Sequence, residues 1–163
     1  RTAGRVPDAV AGKPEPPLLH EAMRRTGSRR PLMIGDRLDT DIEAGTRIGV
    51  PTLLVMTGVT TVEEILGARP QERPDFIGAD LRVLLTEYPR IVVEGGQVRC
   101  GEALAWIEQD RLMASSPSAR ASDPWDEVRA AAAMAWWADD NSVACDRSAC
   151  AQALQEAVSS LDR

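Results

Sequence analysis

A chain of 163 residues can build one ordinary domain with its own core, or part of a larger one, and is too short for two full domains. With 44% hydrophobic and 27% charged residues it falls outside the disordered and membrane-embedded classes. A formal charge of −6 excludes the broad basic face that nucleic-acid binders use against phosphates, and the basic pairs Arg24-Arg25 and Arg29-Arg30 are short.

Three cysteines, Cys100, Cys145 and Cys150, have no metal-ligand spacing and no neighbouring histidine, so free thiols in a reducing compartment are expected. No apolar stretch approaches the ~20 residues that cross a bilayer, and no signal-peptide pattern opens the chain. A cytoplasmic location without membrane contact is therefore the expectation. The chain starts at Arg1 and its first methionine is Met23, which suggests processing or a piece of a longer protein.

In chain order, Arg1 to Val10 is expected to be the tail of a preceding element. Gly12-Lys13-Pro14-Glu15-Pro16-Pro17 is a stiff loop, because each proline fixes its own φ and biases the residue before it. A helix follows, with Pro17 in its first turn, Leu18, Leu19, Ala22 and Met23 as its buried stripe, and Gly27 at its end. Pro31-Leu32-Met33-Ile34 is a short buried strand. The next helix is expected to begin with a capping box of Thr40 and Glu43 and to run to about Ile48-Gly49. Thr52 to Met56 is a second buried strand, and strand, helix, strand within about 25 residues is the βαβ unit of a parallel sheet.

Beyond it the pattern predicts a short helix over Thr61 to Leu66, a strand or connection at Pro74 to Ile77, and a helix over Asp80 to Tyr88 with Leu81, Leu84 and Leu85 inward. Ile91-Val92-Val93 and Gln97-Val98-Arg99 around Glu94-Gly95-Gly96 form a hairpin that would close the α/β part. A helix over Glu102 to Arg111, a Ser/Ala/Pro-rich linker over Ala114 to Pro124, and two Ala-rich helices, Pro124 to about Asp140 and Asp146 to Leu161, complete the expectation. The first of these two is apolar around much of its girth, with Trp136 and Trp137, and needs a surface to cover.

The chemistry concentrates at Ile34-Gly35-Asp36-Arg37-Leu38-Asp39-Thr40-Asp41-Ile42-Glu43, where carboxylates follow a buried strand and precede a helix. In open α/β sheets ligands collect beyond the carboxyl ends of the strands. A hard cation such as Mg²⁺ takes oxygen ligands from one or two carboxylates, waters and phosphate oxygens. Asp36, at the strand end, is the candidate ligand. Thr40 and Asp41 are equally accounted for as helix-start residues. Lys13, before a helix N-terminus, is the candidate phosphate-binding residue, provided that it faces the crevice of Asp36.

Gly12-Lys13-Pro14, then Gly35-Asp36-Arg37-Leu38-Asp39-Thr40-Asp41-Ile42, Gly45, Gly49, Leu53 to Val59 and Arg73-Pro74-Asp75-Phe76, in that order and spacing, resemble the haloacid-dehalogenase-like (HAD-like) hydrolases. The resemblance covers about residues 4–94 and is closest to the branch with NagD-type, 4-nitrophenylphosphatase-like and phosphoglycolate-phosphatase-like enzymes. It implies a Rossmann-like parallel sheet and a Mg²⁺-dependent phosphatase of small phosphorylated metabolites that forms an aspartyl-phosphate. It also implies that Lys13 and Asp36 are catalytic, Lys13 stabilising the transferring phosphoryl group and the nucleophile, Asp36 ligating Mg²⁺ and Asp41 supporting the metal shell.

The family's nucleophile motif, Asp-x-Asp after the first strand, its Ser/Thr motif and its cap domain are not found in this sequence. Asp39-Thr40-Asp41 has the letters of the first but lies at a helix start. On this reading residues 1–100 are the C-terminal part of a HAD-like core and 101–163 an α-helical extension with a linker at about 113–123. The chain alone is expected to be inactive, with an exposed strand edge where the nucleophile strand would pair, and a homo-oligomer is left open. The alternative is a non-catalytic α/β module that binds phosphate, or a protein partner through its Trp-bearing helices.

Overall fold

The computed structural model describes residues 10–116 and 123–161, so the expected tail over Arg1 to Val10 lies almost wholly outside the described residues. The described part is a mixed α/β structure with a parallel sheet, as expected. Helix α1 (Pro17–Thr26) ends where Gly27 turns left-handed at φ 62°. Strands β1 (Met33–Gly35), β2 (Thr52–Val55) and β3 (Phe76–Gly78) pair in parallel in that spatial order, Ile34 opposite Leu53 and Leu54 opposite Ile77. Helix α2 (Glu43–Arg47) connects β1 to β2, and α3 (Val62–Leu66) lies between β2 and β3. Gly45 lets α2 settle on the sheet, since a Cβ there would meet the Thr52 methyl at 2.5 Å and Met33 Cβ at 3.0 Å.

The hairpin expected at 91–99 is present as β4 (Ile91–Glu94) and β5 (Gln97–Cys100), but it does not close the molecule. It opens a second, antiparallel sheet with β6 (Ala103–Glu108) and β7 (Arg111–Ser115). The expected helix over Glu102 to Arg111 is thus two strands, joined at Gln109 and Asp110, both in the left-handed region at φ 51° and 60°. The stretch expected as linker from Ala114 begins inside β7, and residues 117–122 of it lie outside the described residues.

Helix α4 (Pro124–Asp140) covers the meander, and α5 (Ser148–Ser159) packs against α3 and α4. The core runs continuously from Leu54 and Ile65 through Val98 and Ala105 to Val128, Met134 and Leu154. Bonds reinforce that continuity. Trp136 Nε1 donates to the Ile65 carbonyl (2.9 Å), and Arg129 Nε donates to the Ile77 carbonyl (2.9 Å) while the Ile77 amide donates to the Tyr88 hydroxyl (2.9 Å). The outer edge of β3 is therefore satisfied by side chains that bring the second sheet and its helix with them.

Three further expectations differ from the structure. Thr40 does not cap a helix: the turn after β1 begins earlier, with Asp41 and Ile42 both donating to the Arg37 carbonyl, the second bond in the wide π spacing. A complete capping box is present at Thr61 and Glu64. The stripe assigned to α1 is not fully buried: Leu18 is 52% exposed and Ala22 is exposed, while Leu19 and Met23 are half-buried and border a groove with Met33 and Ile48. Leu81, Leu84 and Leu85 lie on a 3₁₀ turn, Leu81–Leu85, and point mainly to solvent.

Candidate active site

Asp36 follows the last residue of β1, at the carboxyl end of the parallel sheet. Its carboxylate Oδ2 accepts from Thr57 Oγ1 (3.0 Å), and its backbone carbonyl accepts from Thr60 Oγ1 (2.6 Å). Both threonines come from the loop after β2, so two adjacent strand ends fix the acid. Its other oxygen, Oδ1, has no hydrogen bond among the described residues.

Asp41 is buried, and its carboxylate lies directly on the Cα of Gly35, which could carry no side chain without displacing it. Oδ1 accepts from the Lys13 ammonium and Oδ2 from the Arg37 amide (3.3 Å). Lys13 is brought there from the other side of α1, across 28 residues, in a loop whose Lys13-Pro14 peptide is cis. That loop is tied to α2 by Glu15, which pairs with Arg47 Nη1 (2.8 Å), and Arg47 is held in turn by the buried Glu43 (2.6 Å).

Two of the three residues singled out from sequence are in direct contact, and the third, Asp36, follows the Gly35 on which the Asp41 carboxylate lies. Lys13 bonds Asp41, whereas Asp36 is held separately by Thr57 and Thr60. Asp39 stands apart, exposed and paired with Arg37 (2.9 Å), whose hydrogen bonds hold its carboxyl below the ordinary value. Thr57, Thr60, Arg37 and Gly35 were not assigned roles from sequence. The only signal for the threonines is that they follow a buried strand beside Gly58, where backbone turns towards a strand-end site.

Among the described residues no group of three or more His, Cys, Asp or Glu side chains is gathered to hold a metal ion. Asp36 offers one carboxylate oxygen free of protein donors. That fits a Mg²⁺-type cation, which keeps several waters and is held by one or two carboxylates together with substrate oxygens, and does not fit an all-protein cage. Thr57 and Thr60 also line an open cleft of about 410 Å³ whose far wall includes Trp125, Gln155 and Ser159 from the C-terminal helices.

A strand-end acid and a lysine–carboxylate pair beside a parallel sheet are the residue types that handle a hard cation and a phosphate. Residues 10–84 match the HAD-hydrolase-like family model. The chain is 49% identical over 84 residues to a D-glycerol 3-phosphate phosphatase of Mycobacterium tuberculosis, covering 52% of this chain and 24% of that protein. To an acid sugar phosphatase of Staphylococcus haemolyticus it is 36% identical over 88 residues, covering 53% and 32%. The chain thus spans about a quarter to a third of these relatives.

The crystal structure of a glycerol phosphate phosphatase from M. tuberculosis, solved with magnesium, superposes with a TM-score of 0.66 at 32% identity, over 90% of this chain and 43% of the other. The family match covers less than half of the chain, so this superposition takes in much of the meander and the helices after it.

Proposed function

We propose that this chain supplies the lysine and metal-binding part of a Mg²⁺-dependent phosphatase that acts on a small phosphorylated metabolite through an aspartyl-phosphate. The observation that carries the reading is the Lys13 ammonium bonded to the buried Asp41, whose carboxylate lies on Gly35 next to Asp36 at a parallel strand end, in the order and spacing of the family. The phosphatase relatives and the magnesium-containing neighbour support it.

Phosphoryl transfer depends mainly on positioning and on charge neutralisation. Asp41 anchors the Lys13 ammonium, and Lys13 neutralises charge on the transferring group and on the attacking carboxylate. Thr57 orients Asp36 so that Oδ1 is free to ligand a cation. Mg²⁺, when bound there, supplies Lewis-acid neutralisation of phosphate oxygens. The family resemblance puts the nucleophile on a strand that this sequence does not show; Asp39, paired at the surface, and Asp41, bonded to Lys13, are not placed for that role.

Two measurements test this. Mg²⁺ should raise the melting temperature of the chain, by binding only the folded state, and Asp36→Asn should remove that rise; an equal rise in the variant overturns the metal assignment. The chain by itself should not hydrolyse 4-nitrophenyl phosphate with Mg²⁺. Turnover that Asp36→Asn abolishes would show that the nucleophile lies within these residues. The competing reading, a module that binds a partner through its tryptophans, has no observation in its favour, since Trp125 and Trp136 pack on the chain's own core.

A further inference from the structure

The antiparallel meander has two outer strands, and the chain treats them differently. The β7 edge is partly closed by the segment before α5: Leu112 N–H donates to the Asp146 carbonyl (2.9 Å) and Asp146 N–H to the Asp110 carbonyl (2.7 Å). The β4 edge has no partner strand among the described residues. Its residues are all exposed, Ile91 at 40%, Val92 at 38% and Val93 at 50%. Open edges are ordinarily blunted by a charge, a proline or a bulge within the strand; in β4 the one charge is Glu94 at its end, and Ile91-Val92-Val93 carries none of these.

The sequence around this edge is self-complementary. If two copies of β4 pair antiparallel about Val92, Ile91 faces Val93 of the other copy, and Arg90 faces Glu94. Neither Arg90 nor Glu94 has an ion-pair partner among the described residues. Pro89 then faces Gly95, which has no side chain to obstruct it.

The hydrogen-bond parity agrees. Gly95 and Gly96, at φ 59° and 79°, form a two-residue turn, so Glu94 and Gln97 are the hydrogen-bonded pair that closes it. Alternation along the ladder then turns the Glu94 and Val92 backbone groups towards β5 and those of Ile91 and Val93 outward. These outward groups are the four donors and four acceptors, two of each per copy, that this register needs; the Arg90–Glu94 pairs fall at non-hydrogen-bonded positions, where side chains come closest.

We propose that β4 is the docking edge for a second copy of this chain, joining two meanders into one eight-stranded antiparallel sheet across a two-fold axis. Isologous pairing of this kind puts the same patch on both subunits. Sedimentation of the chain over a range of concentrations should show a monomer–dimer equilibrium. Glu94→Arg and Arg90→Glu, each placing like charges across the axis twice per dimer, should each weaken it by about tenfold, and the double swap R90E/E94R should restore it.

Val93→Pro removes an outward N–H without touching the β4–β5 ladder and should abolish the dimer while leaving the circular dichroism spectrum unchanged. Amide exchange at Ile91 and Val93 should slow as concentration rises. A monomer at every concentration overturns the proposal. So does a dimer indifferent to both single swaps, which would be using another face, and so does exchange at Ile91 and Val93 that does not vary with concentration.

Discussion

At the residue scale the corner depends on an absence. Asp41 can reach Lys13 only because Gly35 presents a bare Cα beneath it. Gly35→Ala forces a methyl group into the buried carboxylate and is expected to destabilise the chain by about 1–3 kcal/mol, as overpacking does, read from the urea midpoint. The same variant should lose whatever phosphate affinity Lys13 provides. Glu72 offers a residue-scale test in pH. Its carboxyl lies below the ordinary value of 4.5, chiefly because Arg69 donates to it from Nε (2.9 Å) and Nη2 (2.5 Å). A depressed folded value means that its contribution is complete above pH 4.5 and is lost as pH falls through the folded value. The stability gap between the native chain and Glu72→Gln should therefore be constant near neutrality and shrink below pH 4.5; a gap independent of pH would mean that the ion pair contributes nothing.

Among the elements, α4 does the most joining, and Arg129 is its central tie. This guanidinium is 3% exposed, bonds Asp126 (2.6 Å), Asp123 (3.0 Å) and the Ile77 carbonyl, and stacks 4.9 Å over the Tyr88 ring. Truncation to Ala would leave Asp126 buried with only the Cys100 thiol for company, so a loss of about 3–5 kcal/mol in chemical unfolding is expected. The bounds of α4 and α1 were legible because proline opens each and a break in the apolar pattern or a left-handed glycine ends it. The β6–β7 hairpin was not, for a specific reason. Its turn uses Gln109 and Asp110 in left-handed geometry where Asn-Gly or Gly-Gly is the usual signal, and Ala103, Ala105 and Leu112, its buried residues, occur as readily in helices. The Thr40–Glu43 box had the right letters, but a π turn starting at Arg37 moved the helix start past it.

For the whole molecule, two sheets and the helices between them share one core, so the described chain should unfold in a single transition. Deleting residues 113–163 removes the cover of the meander and the bonds to Ile65, Leu66 and Ile77, and the remainder is expected to lose cooperative unfolding. A truncated chain that melts as sharply as the full one would show that the C-terminal helices are an independent unit. The site was legible as far as its residue types and their order went, because spacing in a βαβ unit is a local property. Which carboxylate Lys13 would choose, and that two threonines from the next strand would hold Asp36, depend on three-dimensional register that one sequence does not display. The structure also ties the candidate site to the far end of the chain. Gln155 Oε1 accepts the Val62 amide (2.9 Å), the first helical N–H of α3, from 93 residues away, directly behind the Thr60–Thr61 turn. On a ribosome, α3 emerges long before that partner does. The corner that holds Asp36 is thus among the last parts of the described fold to be completed during synthesis, and until then its half-formed sheet depends on whatever shields nascent apolar strands.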